Sequence, residues 1–287
     1  MPDPKNIKEI LRSHGLAPNK NLGQNFLTNP AIASRIVTEA GITKKDTVLE
    51  LGVGLATLTL PLAALAGKVI GLEIDQGIIN WHKEASILPD NVELVHQDLL
   101  LADFENLAKT HRCKLKILAN LPYSVSSPLL FKLLDNAAYI DFAVLMLQKE
   151  MAARLTARKG TKEYGILTVL FAPYATVQKL FLVGPGNFHP RPKVDSTVVR
   201  MTFHSPPESL KNFSTAEKFR HLVRAAFQQR RKTLINSLAG SSLFPEGKGQ
   251  IRLLLEGIGI DPRSRAENLE YEEYMLLAEQ IQPPTSF

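Results

Sequence analysis

"DTVLELGVGLATLTLPLAALAGKVIGLEID" (residues 46–75) holds a β-rich apolar run ending at glycines, a helix-compatible stretch, and a second β-rich run ending at an acid. Strand, helix and strand in that order form a βαβ unit, whose two strands are parallel. Working outward, "NVELVHQDLL" (91–100), "KLKILANLP" (114–122) and "DFAVLMLQ" (141–148) supply a third, fourth and fifth strand. Helix-compatible segments such as "QGIINWHKEASIL" (76–88) separate them, as expected of a parallel sheet buried on both faces. Beyond "YGILTVLFAPYA" (164–175), the runs "TVQKLFLVG" (176–184) and "DSTVVRMTFHS" (195–205) are joined by a Pro-rich loop and read as an antiparallel hairpin added to the sheet. The expected fold is therefore α/β: a doubly wound, Rossmann-like seven-stranded sheet with its last pair antiparallel. Pro206 and Pro207 punctuate the chain, and helical patterns follow at 215–238, 248–258 and 270–281. These features predict an α/β domain over 1–206 and a small all-α domain over 207–287.

The 287 residues are 45% hydrophobic and 22% charged, ordinary globular composition for one large domain or a large and a small one. Apolar stretches are short and interrupted, and "MPDPKNIKEILRSHG" lacks the apolar core of a signal peptide, so a cytoplasmic protein without a membrane span is expected. Cys113 is the only cysteine, which excludes disulfides within the chain and cysteine-rich zinc sites; the seven histidines show no metal-binding spacing. Net charge is +6, and segment 211–232, "KNFSTAEKFRHLVRAAFQQRRK", carries seven Lys/Arg against one Glu. That net equals the whole-chain excess. A basic helix of this kind suits a phosphate backbone, or is a solvated face.

Ligands of open α/β sheets bind beyond the carboxyl ends of the strands. The first strand ends in Gly52-Val53-Gly54, where missing Cβ atoms let the backbone turn tightly against a ligand. The second ends at Glu73, roughly 20 residues on, the spacing at which an acid reaches ribose hydroxyls. The third ends at Asp98 and the fourth at Asn120. Singly, each has an ordinary structural reading: a turn, a helix cap, a surface residue. Together they converge on one sheet edge. Thr57 stands where a dinucleotide fingerprint has its third glycine, and no Walker lysine follows, so a nucleoside without phosphates fits better, S-adenosylmethionine among them.

At the fourth strand's end stands "NLPY" (120–123). The exocyclic amine of adenine is a poor nucleophile, because its lone pair is delocalised into the ring. The Asn120 side-chain oxygen and the Leu121 carbonyl can accept its hydrogens, Pro122 restricts the turn, and Tyr123 can stack on the base. The alternative is a strand-to-helix turn with a buried tyrosine.

With these residues in place, the sequence resembles the ribosomal RNA adenine N6,N6-dimethyltransferases, most closely the bacterial KsgA type that acts on small-subunit (16S) ribosomal RNA. "NLGQNFL" (21–27) resembles the family's entry motif, "ELGVGLATLT" its glycine loop, and "LEID", "QDLL" and "NLPY" its next motifs. "MLQKEMAARLTARKGTKEYGILTVL", "NFHPRPKVDSTVV", "FQQRRKTLINSL" and "RAENLEYEEYMLLAE" extend the likeness over nearly the whole chain. The resemblance implies a class I S-adenosylmethionine-dependent methyltransferase domain followed by a helical RNA-binding domain. It implies that Asn25 and Leu27 help Gly52, Gly54, Glu73, Asp98 and Asn120 enclose the cofactor, and that Phe188 faces Tyr123 across the target adenine; from the residues alone Phe188 reads instead as a hydrophobic residue packing the hairpin loop. Arg230, Arg231 and Lys232 become RNA-backbone contacts, while Gln148 and Glu150 read as structural. The chain departs from the family at Val53, usually Pro, and at Ala56, commonly Gly, whose methyl is expected close to the methionine moiety.

A duplex buries the adenine amine, so an unstacked loop adenine is the expected target. The resemblance implies dimethylation of two adjacent adenines in the 3′-terminal hairpin loop of 16S rRNA, by a monomer acting on a precursor of the 30S subunit. The alternatives are a large-subunit (23S) enzyme of the antibiotic-resistance type, a DNA adenine methyltransferase, and a non-catalytic assembly or RNA-binding relative. No inserted target-recognition segment supports the DNA reading, and the intact Glu73, Asp98, Asn120 and Tyr123 disfavour the non-catalytic one.

Overall fold

The computed structural model describes residues 7–14, 16 and 23–281. The first two residues of "NLGQNFL" lie outside them. Strands β1 (Phe26–Leu27), β2 (Thr47–Leu51), β3 (Lys68–Glu73), β4 (Val92–His96), β5 (Leu115–Asn120), β6 (Ile140–Gln148), β7 (Ala175–Val183), β8 (Phe188–His189) and β9 (Ser196–Phe203) are present. Seven of them form one sheet in the order β4-β3-β2-β5-β6-β9-β7. The pairs from β4 through β6 are parallel, and β9 runs antiparallel to β6. All seven expected strands are found, with the antiparallel edge where the hairpin was read.

Helices α1 (Ile7–Ser13), α2 (Pro30–Ala40), α3 (Thr59–Leu65), α4 (Gln76–Ala85), α5 (Phe104–His111) and α6 (Ser126–Asp135) accompany the strands up to β6. Several starts are written locally. Asn29, Asp75 and Asp103 each accept a hydrogen bond from a backbone N–H of the helix they cap. The sheet's core contains Val48, Val69, Leu118, Val144 and Val198, packed with Ile36 and Val37 of α2 and Leu62 of α3.

The chain divides into two compact units. One holds the residues up to Ala152 with Val177–His204; the other holds Ala153–Thr176 with Ser205 onward. A single cut near residue 206 therefore omits one excursion. α7 (Lys149–Leu155) leads into it, and α8 (Ile166–Phe171) packs against α10 (Phe213–Phe227) in the second unit. The physical reason is that "YGILTVLF" buries Val169, Leu170 and Phe171, for which α10 supplies an apolar face of Phe219, Leu222, Val223 and Ala226. The second unit also contains α9 (Glu208–Lys211), α11 (Leu234–Leu238), α12 (Lys248–Gly257) and α13 (Tyr271–Gln280). Tyr164 and Tyr274 are buried there, their hydroxyls donating to the carbonyls of Leu269 and Ala266, both at 2.7 Å.

The helix expected over 215–238 is two helices. α10 ends at Phe227, residues 228–232 turn, and α11 begins at Leu234. The polar run "QQRRKT" offers no buried side chain to hold a helix through it.

Gly71 of β3 shows how closely the sheet meets the loop above it. Its missing Cβ leaves the space that the Val53 side chain fills, and Val53 is 4% exposed. Gly71→Ala should overpack this contact and lower stability by about 1–3 kcal/mol. Urea denaturation of Gly71→Ala alone and with Val53→Ala checks it; the double variant should recover part of the loss.

Candidate active site

Register aligns the strand ends. Leu51 pairs with Leu72 on one side and with Ala119 on the other, so Gly52, Glu73 and Asn120 stand level at the carboxyl edge. The order of the strands reverses between β2 and β5, the switch point at which open sheets bind ligands. A cavity lies there. Its wall includes Asn25, Leu27, Gly52, Gly54, Glu73, Asp98, Asn120 and Pro122, eight of the residues expected at the site. Val53, Leu72, Ile74 and Leu99 add apolar surface.

Glu73 organises this edge. One carboxylate oxygen accepts the N–H groups of Ile74 and Asp75, and the other accepts that of Gly54, all at 2.9 Å. The side chain is 5% exposed. Burial raises its pKa above the usual carboxylate range, and these three backbone donors work in the opposite direction. The glycine loop is thereby tied to the end of the neighbouring strand.

Gly52 has φ +85° and Gly54 φ +52°, conformations that the loop needs and glycine adopts without a Cβ clash. A Cβ at Gly52 meets no atom within 4 Å, so the backbone lines open space; a Cβ at Gly54 would press the Phe26 ring at 3.3 Å. Ala56 is left-handed too, with φ +61°, which costs a non-glycine residue about 1 kcal/mol. Ala56 is fully buried and is not among the residues that line the cavity, whereas its neighbours Leu55 and Thr57 are.

Asp98 accepts the Leu100 N–H through Oδ1 at 2.8 Å, leaving Oδ2 for a ligand. Asn120 donates through Nδ2 to the Asn25 carbonyl at 3.4 Å, which leaves Oδ1 as an acceptor. Residues 24–27 form part of the cavity wall. Gln24 donates to Asp75 at 3.0 Å, Asn25 donates to the Gly23 carbonyl at 2.9 Å, and β1 pairs antiparallel with β8. That two-residue ribbon lies inside the Pro-rich loop and was not legible from periodicity.

Tyr123 hydrogen-bonds Ser196 through its hydroxyl at 3.0 Å and is partly exposed. Phe188 lies in β8. It pairs with Leu27 in the ribbon, is 6% exposed and belongs to the core around α2. Phe188, Leu121, which is 2% exposed, and Tyr123 are not among the residues that line this cavity.

In the second unit, Arg230, Arg231 and Lys232 occupy the turn after α10, not a helix. Arg230 donates to the Lys162 carbonyl at 2.7 Å and pairs with Glu267 at 3.1 Å, an internal staple; Arg231 and Lys232 are exposed.

Reading the residues alone missed Glu50, the acid inside the apolar "VLEL". It is fully buried, neither carboxyl oxygen has a hydrogen-bond partner among the described residues, and burial lifts its pKa to about 8, opposed by the nearby Thr59 hydroxyl.

A glycine loop, a buried acid at the neighbouring strand end, a second acid and an amide-bearing turn, all on the switch point of a seven-stranded sheet, define a nucleoside-cofactor methyltransferase domain. Residues 15–283 match the family model described as ribosomal RNA adenine dimethylase. Similar proteins include "Ribosomal RNA small subunit methyltransferase A" of Desulfotalea psychrophila, 44% identical over 93% of this chain and 92% of the relative. The protein of the same name from Syntrophus aciditrophicus is 41% identical over 96% of this chain and 98% of its own. Among solved structures, a dimethyladenosine transferase from Plasmodium falciparum superposes with a TM-score of 0.72 at 31% identity, covering 87% of this chain and 94% of that one. The 23S rRNA methyltransferase ErmE superposes at 0.63 and 26% identity, covering 90% and 99%. The chain belongs to the ribosomal RNA adenine dimethylase family, and is an S-adenosylmethionine-dependent methyltransferase.

Glu50 gives this site a pH signature. A carboxyl whose folded pKa exceeds its unfolded value of 4.5 contributes stability that is complete below pH 4.5 and lost as pH rises through about 8. Glu73 acts with the same sign. Unfolding free energies measured from pH 4.5 to 9 should fall in the wild type. In Glu50→Gln they should fall much less, the two proteins differing by on the order of a few kcal/mol at the alkaline end.

Proposed function

We propose that this enzyme dimethylates N6 of adjacent adenines in an unpaired loop of small-subunit ribosomal RNA, within an assembling particle in the cytoplasm. The observation that carries the reading is the Asn120 amide. Its Nδ2 is committed to the Asn25 carbonyl, so Oδ1 is left to accept at the end of the cofactor cavity. The small-subunit assignment is supported by the names of the relatives at 37–44% identity, which span nearly their whole length.

The cavity fits S-adenosylmethionine. Gly52 leaves open space beside the backbone, Glu73 and Asp98 keep acceptor capacity for ribose hydroxyls and an adenine amine, and the apolar wall suits a nucleoside base. When bound, the cofactor supplies an electrophilic methyl group on a sulfonium. The chain's part is orientation and acceptance. Asn120 Oδ1 accepts a hydrogen of the target amine, which draws its lone pair out of the ring; the Leu121 carbonyl can take the second only if the turn opens around it, since Leu121 is 2% exposed. Pro122 fixes the turn and Tyr123, anchored by Ser196, offers a face for stacking. The alkylated nitrogen is acidic enough to lose its proton to water, so no carboxylate base is required. Arg231 and Lys232, exposed after α10, are the proposed contacts to the RNA backbone, with Arg230 shaping the turn that presents them.

Transfer of label from S-adenosylmethionine to undermethylated small subunits, large subunits and DNA, followed by nucleoside mass analysis, tests this reading. Dimethyladenosine from small subunits alone is expected. Label in large subunits would move the protein to the ErmE-like specificity, and none in any arm, with cofactor bound, would leave a binding role. Asn120→Ala should lower kcat at least about 100-fold, while calorimetry still detects cofactor binding.

A further inference from the structure

The glycine loop is held from a second side by a residue outside every cofactor motif. His82 lies on α4, 3% exposed, with Nε2 2.7 Å from the Gly54 carbonyl oxygen. A carbonyl can only accept, so Nε2 carries the hydrogen. Nδ1 is buried without a hydrogen-bond partner, so a second proton there would find no acceptor, and burial holds the ring towards its neutral form. The ring sits against Trp81, centroids 4.5 Å apart, and Trp81 belongs to the cluster of Ile7, Leu11, Phe26, Leu55 and Ile78. The donor therefore comes from a packed apolar wall.

Gly54 is held at both ends of its backbone. Its N–H donates to Glu73 at 2.9 Å and its C=O accepts from His82. Glycine at φ +52° has no Cβ to restrict rotation, so these two bonds and the Phe26 ring determine where its peptides point. The left-handed Ala56, two residues on, adds strain to the same loop.

We propose that His82 is a positioning residue for the cofactor: its Nε2–H fixes the Gly54 carbonyl and so keeps the glycine loop in the shape that binds S-adenosylmethionine. The proposal deepens the assignment of the cavity to that cofactor and rests on it. His82 is 3% exposed and does not line the cavity, so its loss should appear in cofactor affinity and not in the chemical step.

The test compares wild type with His82→Leu, His82→Gln and His82→Asn. A glutamine amide reaches about as far as Nε2, whereas an asparagine amide stops near Nδ1. Calorimetric titration with S-adenosylhomocysteine should show affinity about tenfold weaker for Leu and Asn, equivalent to about 1.4 kcal/mol, and within about threefold of wild type for Gln. On undermethylated small subunits, KM for the cofactor should rise in parallel, with kcat at saturation within about twofold and the KM for subunits unchanged. Nitrogen-15 spectra should report the Nε2–H tautomer. Wild-type affinity in Leu and Asn, equal losses in Gln and Asn, or an Nδ1–H tautomer would overturn the proposal. Should the Leu variant fail to fold, the Gln–Asn pair, one methylene apart, decides it. Failure of the wild type to bind the nucleoside would instead overturn the cofactor assignment beneath it.

Discussion

One carboxylate holds the working edge of this protein together. Glu73 accepts three backbone N–H groups, two at the start of its own following turn and one from the glycine loop of the adjacent strand. Hydrogen bonds to a charged acceptor are stronger than neutral ones, and burial removes the competing water. The same burial penalises the charge, so the bonds and the desolvation oppose one another and the side chain is held where it must be satisfied. Remove the carboxylate and the Gly54 N–H loses its acceptor. The loop then keeps on this side only the Gly52 and Val53 N–H bonds to the Leu72 carbonyl, which come before Gly54.

The remaining features of the site follow from that anchoring. Gly52 and Gly54 turn the backbone into conformations open to glycine; Val53 fills the space left by Gly71; Ala56 accepts a left-handed backbone inside the core. The strap of residues 23–27 is tied to Asp75, to Asn120 and to the β8 ribbon, and through Asn120 it leaves an amide oxygen at the cavity. The glycine loop, the strap and the Asn120 turn thus share one hydrogen-bonded edge.

Much of this was legible in the sequence, because the signals are local. Apolar runs of strand length ending in "GVG", "LEID", "HQD" and "NLPY" carry both the sheet and the positions of Gly52, Glu73, Asp98 and Asn120. What was not legible depends on tertiary partners. Two residues at Phe188 cannot announce a strand, and their pairing with Phe26–Leu27 sends the phenyl ring into the core. "YGILTVLF" looks like any apolar helix until α10 is seen to cover it. The helix pattern over 215–238 ignores that "QQRRKT" has nothing to bury, and charge alone cannot reveal that Arg230 is spent on Lys162 and Glu267. His82 and Glu50 have no motif spacing; only burial and their neighbours give them meaning.

The most direct test is calorimetric titration of S-adenosylhomocysteine into the wild type and Glu73→Gln, alongside their melting temperatures. Glutamine keeps the size and one acceptor oxygen but replaces the other with a donor, so it cannot serve both Gly54 and the Ile74–Asp75 turn. The account predicts a folded variant whose affinity falls at least about tenfold. A folded Glu73→Gln that binds the nucleoside as tightly as the wild type would contradict it.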